Sequence, residues 1–134
     1  MADGIGKLSV VVFDGRYDRV HYALVMASAA AATGRPATLF FTGGAVHALV
    51  PGGWRRLDGD PERRDAHLRE RGIGTFEDLL HACAELGVRF IACEMGLRAE
   101  GLVAADLDPA LGIEIAGVVT LLGDARADGA LIFV

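Results

Sequence analysis

Two cysteines, Cys83 and Cys93, are the residues of this 134-residue sequence best suited to covalent chemistry, because a thiolate is a strong nucleophile and a metal ligand. The nine residues between them exclude a CxxC redox pair and match no zinc site. The four histidines, His21, His47, His67 and His81, are scattered without metal spacing, so no metal and no cofactor is expected. Cys83 falls in the stripe Phe76, Leu79, Leu80, Cys83 and Leu86, apolar at helical spacing, and reads as core. Cys93 instead ends the run from Arg89 and directly precedes a short helical pattern over Met95 to Gly101. Free N–H groups and the positive end of a helix favour ionised sulfur there, while the Glu94 carboxylate beside it acts in the opposite direction. A purely structural role for Cys93, as a small buried core residue, stays open.

The elements that must position these groups alternate. Leu8 to Phe13 is β-branched and bounded by Lys7 and Asp14-Gly15, as expected of a strand buried on both faces. Asp18 is placed to cap a helix through Val20, Ala23, Leu24, Ala27 and Ala31 that stops at Gly34, with Pro36 beyond. A second strand follows at Ala37 to Phe41, then a turn at Gly43-Gly44 into a short helix. Thr75 to Asp78 resembles a capping box opening the helix that carries Cys83 and ends at Gly87. Arg89 to Cys93 is the third strand, Gly112 to Ile115 a short strand, Gly117 to Ala127 a helix and Ala130 to Val134 the last strand. This pattern predicts one domain over residues 1–134, a three-layer α/β/α fold around a mainly parallel sheet of about five strands.

In such a sheet, ligands gather beyond the carboxyl ends of the strands. That rule selects Asp14-Gly15, Thr42-Gly43-Gly44 and Cys93-Glu94, with His47 and Met95 near the same edge, as pocket candidates. Helical and strand rises place Cys83 well below Cys93, too far for a disulfide, so both should be free thiols. Three sharper motifs fail. Cys93 to Arg98 is C-x4-R, one residue short of the phosphatase loop. The third strand ends in cysteine where a phosphoacceptor receiver would carry aspartate. Gly72-Ile-Gly74 follows no strand and is no nucleotide fingerprint.

Residues 50–72 carry six arginines against five acids and read as an Arg-rich loop or lid, the most mobile part of the fold, or alternatively as a solvated loop with a surface helix near Glu62 to Arg71. A net charge of −5 with pI near 5.2 argues against nucleic acid as a partner. Hydropathy is high, with 52% hydrophobic residues and a mean of +0.37. Glycines, His47 and Pro51 interrupt the longest uncharged stretch, so no membrane span is expected. No secretory signal is visible at the amino end, and a cytoplasmic location is the expectation. So much apolar surface on a short chain also predicts a homo-oligomer.

The opening LSVVVFDGRYDRVHYALVMASAAAATGRPATLFFT, the segment RFIACEMGLRAEG and the late GIEIAGVVTLLGDARADGALIFV together resemble the DsrE/DsrF-like family. The resemblance covers most of the chain, with residues 50–72 its weakest part. It implies a small α/β protein that assembles into oligomers and carries sulfur as a persulfide on one cysteine, exchanged with donor and acceptor proteins. Cys93 stands at the cysteine of the family's AC-x-M segment, and Gly96-Leu97 replaces the Ser-Met pair common after that methionine. The activity expected from this resemblance is that of a sulfur carrier or sulfurtransferase; the alternative is a non-catalytic assembly subunit in which Cys93 is structural.

Overall fold

The computed structural model describes residues 6–125 and 129–134. Five parallel strands form one sheet in the order β4-β3-β2-β1-β5, with β1 at Leu8–Val12, β2 at Ala37–Phe41, β3 at Arg89–Cys93, β4 at Glu114–Ala116 and β5 at Ala130–Phe133. The helices are α1 at Tyr17–Ala32, α2 at Pro61–Glu70, α3 at Phe76–Glu85, α4 at Glu94–Ala99 and α5 at Val118–Asp124.

Handedness decides which face each helix covers. Right-handed crossovers from β1 to β2 and from β2 to β3 advance across the sheet in one direction and place α1 and α3 on one face. The connection from β4 to β5 returns the other way, past β1, and so carries α5 to the opposite face. Side chains alternate along a strand. Val10, Val12, Leu39, Phe41, Phe90 and Ala92 therefore join α1 and α3 in the large core. Phe40, Ile91 and Cys93 point to the other side and form a small cluster with Leu121 of α5.

The α1 face is thick because the sequence there is consistent at every level. Tyr17, Val20, His21, Ala23, Leu24 and Ala27 of α1 are buried, a stripe at helical spacing. Thr75 Oγ1 accepts from the Asp78 N–H and Asp78 Oδ2 accepts from the Thr75 N–H, each at 3.2 Å, so the expected capping box forms. The Asp18 cap does not: α1 is preceded by Arg16, whose N–H donates to Asp14 Oδ1 at 2.9 Å. Asp18 lies in the first turn, where its carboxylate pairs with Arg64 at 3.0 Å. Asp14 holds the turn itself because it is the acid two residues before the helix N-cap residue.

Residues 50–72 are folded more tightly than a loop or lid, and the surface helix of the alternative reading, near Glu62 to Arg71, is present as α2. A short 3-10 helix at Gly53–Arg56 is followed by α2, and Trp54, Leu57 and Leu68 are buried in the large core. A buried carboxylate fastens the segment: Asp65 Oδ1 accepts from the Tyr17 hydroxyl at 2.5 Å and from the Phe76 N–H at 2.8 Å. The rings of Tyr17, Trp54 and Phe76 pack against one another. The arginines lie on the outside, which is why charge dominates the composition while a few apolar anchors dictate the structure.

The opposite face is thin. Leu121 is the one buried residue of α5, and Phe13, Leu131 and Phe133 at the β1–β5 side stay half or more exposed. The final strand begins as expected, and the part of the expected helix that runs to Ala127 lies outside the described residues. No helix among the described residues is long and apolar enough to cross a membrane.

Candidate active site

β3 runs directly into α4, and Cys93 is the residue between them, extended at φ −68° and ψ 123° while Glu94 begins the helix. The inner side of α4 is fixed by contact. A Cβ on Gly96 would lie 2.9 Å from Thr42 Oγ1 and 3.2 Å from the Gly43 N, so only glycine lets the helix approach this turn. Leu97 beside it is buried in the large core. With positions 96 and 97 held inward, Glu94, Met95 and Arg98 are exposed on the outer side.

These outward residues, together with Cys93 and with Gly117 and Val118 at the start of α5, line a cavity of about 280 Å³. Cys93 forms part of its wall and is only 4% exposed, packed with Phe40, Ile91 and Leu121. Met95, 73% exposed, stands at the rim. A nucleophilic sulfur, a carboxylate, a guanidinium and an apolar wall share one small hollow.

The remaining sequence-selected residues lie at the same edge of the sheet but do not line this cavity. Asp14 is engaged with the Arg16 N–H. Gly15 and Gly44 lie against each other, where a Cβ on Gly15 would meet the Gly44 backbone at 3.2 Å. Gly43 takes φ 53°, with Phe13 pressed against it. Thr42 supports Gly96, and His47 Nε2 bonds to Glu100 Oε1 at 2.8 Å. The edge is a close-packed junction of three turns that holds α4 in place, while the open space lies on the α5 side of Cys93.

Arg98, Gly117 and Val118 were not selected from sequence. Arg98 had a local signal, since it shares a face with Glu94 at i, i+4. Gly117 and Val118 had none, because only the return crossover brings them to Cys93. A wider hollow of about 510 Å³ lies between α1 and α2, lined by Asp18, His21, Tyr22, Val25, Arg64, Leu68 and Ile73. It has no thiol, and the His21 ring there is bonded to the Gly74 carbonyl.

Cys83 is the contrast. It is fully buried in the α1–α3 core, its Sγ donates to the Leu24 carbonyl at 3.4 Å, and burial pushes its thiol up to about 12. Both cysteines are free. Among the described residues no group of three or more His, Cys, Asp or Glu side chains is arranged to hold a metal ion.

Known proteins share this architecture. The chain is 25% identical to the uncharacterized protein YrkE of Bacillus subtilis, over the whole of both chains. It superposes on the conserved protein of unknown function BT1422 of Bacteroides thetaiotaomicron with a TM-score of 0.64 at 14% identity, covering 100% of this chain and 98% of the other. The ychN protein of E. coli gives a TM-score of 0.59 at 17% identity over 96% and 99% of the two chains. Residues 7–132 match the DsrE/DsrF-like family, a span that runs from β1 into β5 and includes the Cys93 cavity, and the chain therefore belongs to the DsrE/DsrF-like family.

Proposed function

We propose that this chain carries sulfane sulfur as a persulfide on Cys93. The supporting observation is the position of that thiol: it ends a central strand and forms the wall of a cavity that also presents Glu94 and Arg98, whereas Cys83 is sealed in the core. In the forward step the Cys93 thiolate attacks a terminal sulfane sulfur. A bond forms between Cys93 Sγ and that sulfur, the bond from the sulfur to its carrier breaks, and the carrier leaves with the electron pair as a thiolate or sulfite. An acceptor thiolate then attacks the outer sulfur and releases Cys93 as thiolate, so no net oxidant or reductant is consumed. Donor and acceptor are proteins or small thiols of the cytoplasm in this reading. Incubation with a sulfane donor followed by peptide mass spectrometry tests it: one sulfur atom, removable by reductant, is expected at Cys93 and not at Cys83. Absence of the adduct from Cys93 refutes the proposal.

A second reading follows from the 4% exposure of Cys93 and its packing against Leu121. In an assembly subunit the thiol fills the small core and the uncovered apolar face binds another copy. Phe13, Leu131, Phe133 and Val119 are all at least half exposed, and self-association through that face is part of both readings. Inertness of Cys93 toward small alkylating agents in the folded protein selects the second.

A further inference from the structure

The Cys93 cavity has one basic side chain. Of its lining residues, Cys93, Glu94, Met95, Arg98, Gly117 and Val118, only Arg98 is a cation. The other charged residue, Glu94, precedes it by one helical turn, and the two share a face of α4. Arg98 forms no ion pair among the described residues, which it shares with Arg16, Arg35, Arg56, Arg63 and Arg71, but of these it alone lines the Cys93 cavity. Its location is not incidental to a solvated helix: Gly96 against Thr42 and Leu97 in the core fix the rotation of α4, and that rotation directs position 98 to the cavity side.

Sulfur transfer to a thiolate concentrates negative charge. The new persulfide and the departing carrier are both anions, generated within one hollow whose other walls, Met95 and Val118, are apolar. A guanidinium at the exposed edge of that hollow attracts an anionic reactant and stabilises an anionic leaving group. We propose that Arg98 is the charge-reading residue of the Cys93 cavity, so that the site takes small anionic sulfur compounds in preference to neutral ones. Glu94 works against the same charge, and the preference is set by the opposition of the two. This assignment deepens the persulfide reading and rests on it for the word sulfur, while the charge preference itself is independent of any sulfur transfer.

Iodoacetate and iodoacetamide separate the two questions, since they alkylate the same thiol and differ in charge. Rates at Cys93 are measured by peptide mapping in the folded protein, and the quantity read is the ratio of the iodoacetate to the iodoacetamide rate. Arg98→Gln is expected to lower that ratio roughly three- to tenfold, Arg98→Lys to restore most of it, and Glu94→Gln to raise it. In the unaltered protein, added salt is expected to reduce the ratio as screening grows. A ratio unchanged by Arg98→Gln, with the iodoacetamide rate also unchanged, overturns the assignment, as does a wild-type ratio insensitive to salt should that variant fail to fold. Loading from thiosulfate and from neutral elemental sulfur forms the second arm. If neither donor modifies Cys93 but the alkylation ratio shifts as stated, the carrier reading falls and the charge preference stands. If both donors load equally in wild type and Arg98→Gln, the charge preference falls and the carrier reading stands.

Discussion

Asp124 Oδ1 lies 2.9 Å from the Arg89 guanidinium, and the other oxygen of the same carboxylate accepts from Lys7. Arg89 in turn makes a two-pronged contact with Glu114, at 2.7 and 2.9 Å. The clasp joins the last residue of α5 to the amino ends of β1, β3 and β4, while the first residues of α5 line the Cys93 cavity at the opposite end. Between these ends α5 is held by Leu121 alone. The helix is thus a cover over Cys93 that is fastened mainly at its far end.

Removing the fastening should expose the thiol. A partly exposed ion pair contributes up to about 1 kcal/mol, so Asp124→Asn is expected to increase local opening and the Cys93 alkylation rate roughly fivefold. Cys83 should stay unreactive. The hydrogen bond from Lys7 is the foremost cause that holds the Asp124 carboxyl below its ordinary 3.8. Its stabilising contribution is therefore present well above the ordinary carboxylate value and disappears as pH falls through the lowered one. Amide exchange within α5 should accelerate in that acid range in wild type and show no such step in Asp124→Asn; an identical step in both disproves the clasp.

The two thiols should also separate in their effect on stability. Cys83→Ser places a shorter, more polar group against Leu24 in the core and is expected to cost about 1–3 kcal/mol in denaturant unfolding. Cys93→Ser should retain the fold and oligomeric state while losing the persulfide. Equal destabilisation by both would mean that Cys93 is as much a core residue as Cys83.

The strands were legible because burial on both faces leaves continuous β-branched and aromatic runs, and β2 and β3 occupy the expected residues. Local chemistry also carried the Thr75–Asp78 capping box and the core position of Cys83. The cap of α1 was misassigned because the helix begins earlier than an Asp18 cap requires: Arg16 is the N-cap residue with no side-chain cap, Asp18 falls in the first turn, and Asp14 holds the preceding turn. Folding of residues 50–72 depends on Trp54, Leu57, Asp65 and Leu68 meeting Tyr17 and Phe76, partners distant in sequence that a charge count conceals. The place of Cys93 at a strand end was legible in the sequence. The far wall of its cavity was not, since Gly117 and Val118 reach it only through the direction of the β4-to-β5 crossover.

Asp65 should be the residue on which the arginine-rich segment depends. Burial and the neighbouring carboxylate raise the Tyr17 phenol far above its ordinary range, so it stays protonated and remains a donor at working pH. Asp65→Ala leaves the Phe76 N–H and the Tyr17 hydroxyl without their acceptor and is expected to cost about 3–5 kcal/mol. Tyr17→Phe removes one donor and should cost about 1–2 kcal/mol. A double-mutant cycle in urea should return a clear coupling between them, and additive losses would show that the pair is not a unit.

Phe13 and Phe133 stack at 5.6 Å between ring centroids on the face that α5 leaves uncovered, and Phe133 is 69% exposed. Leu131 on β5 is exposed on the same face because it is two residues from Phe133 along a strand. Water contact with this many large apolar groups is unfavourable at about 25 cal/mol per Å², and a second copy presenting the same face would remove it. The wild-type chain is therefore expected to run as an oligomer in light scattering at micromolar concentration. Phe133→Lys should shift it toward the monomer without loss of secondary structure, because the substituted side chain lies outside both cores. Cys93 alkylation in that variant then reports whether assembly covers the cavity mouth: a faster rate places the mouth at the interface, an unchanged one away from it. A wild-type monomer of 14.1 kDa across that concentration range would refute self-association through this face.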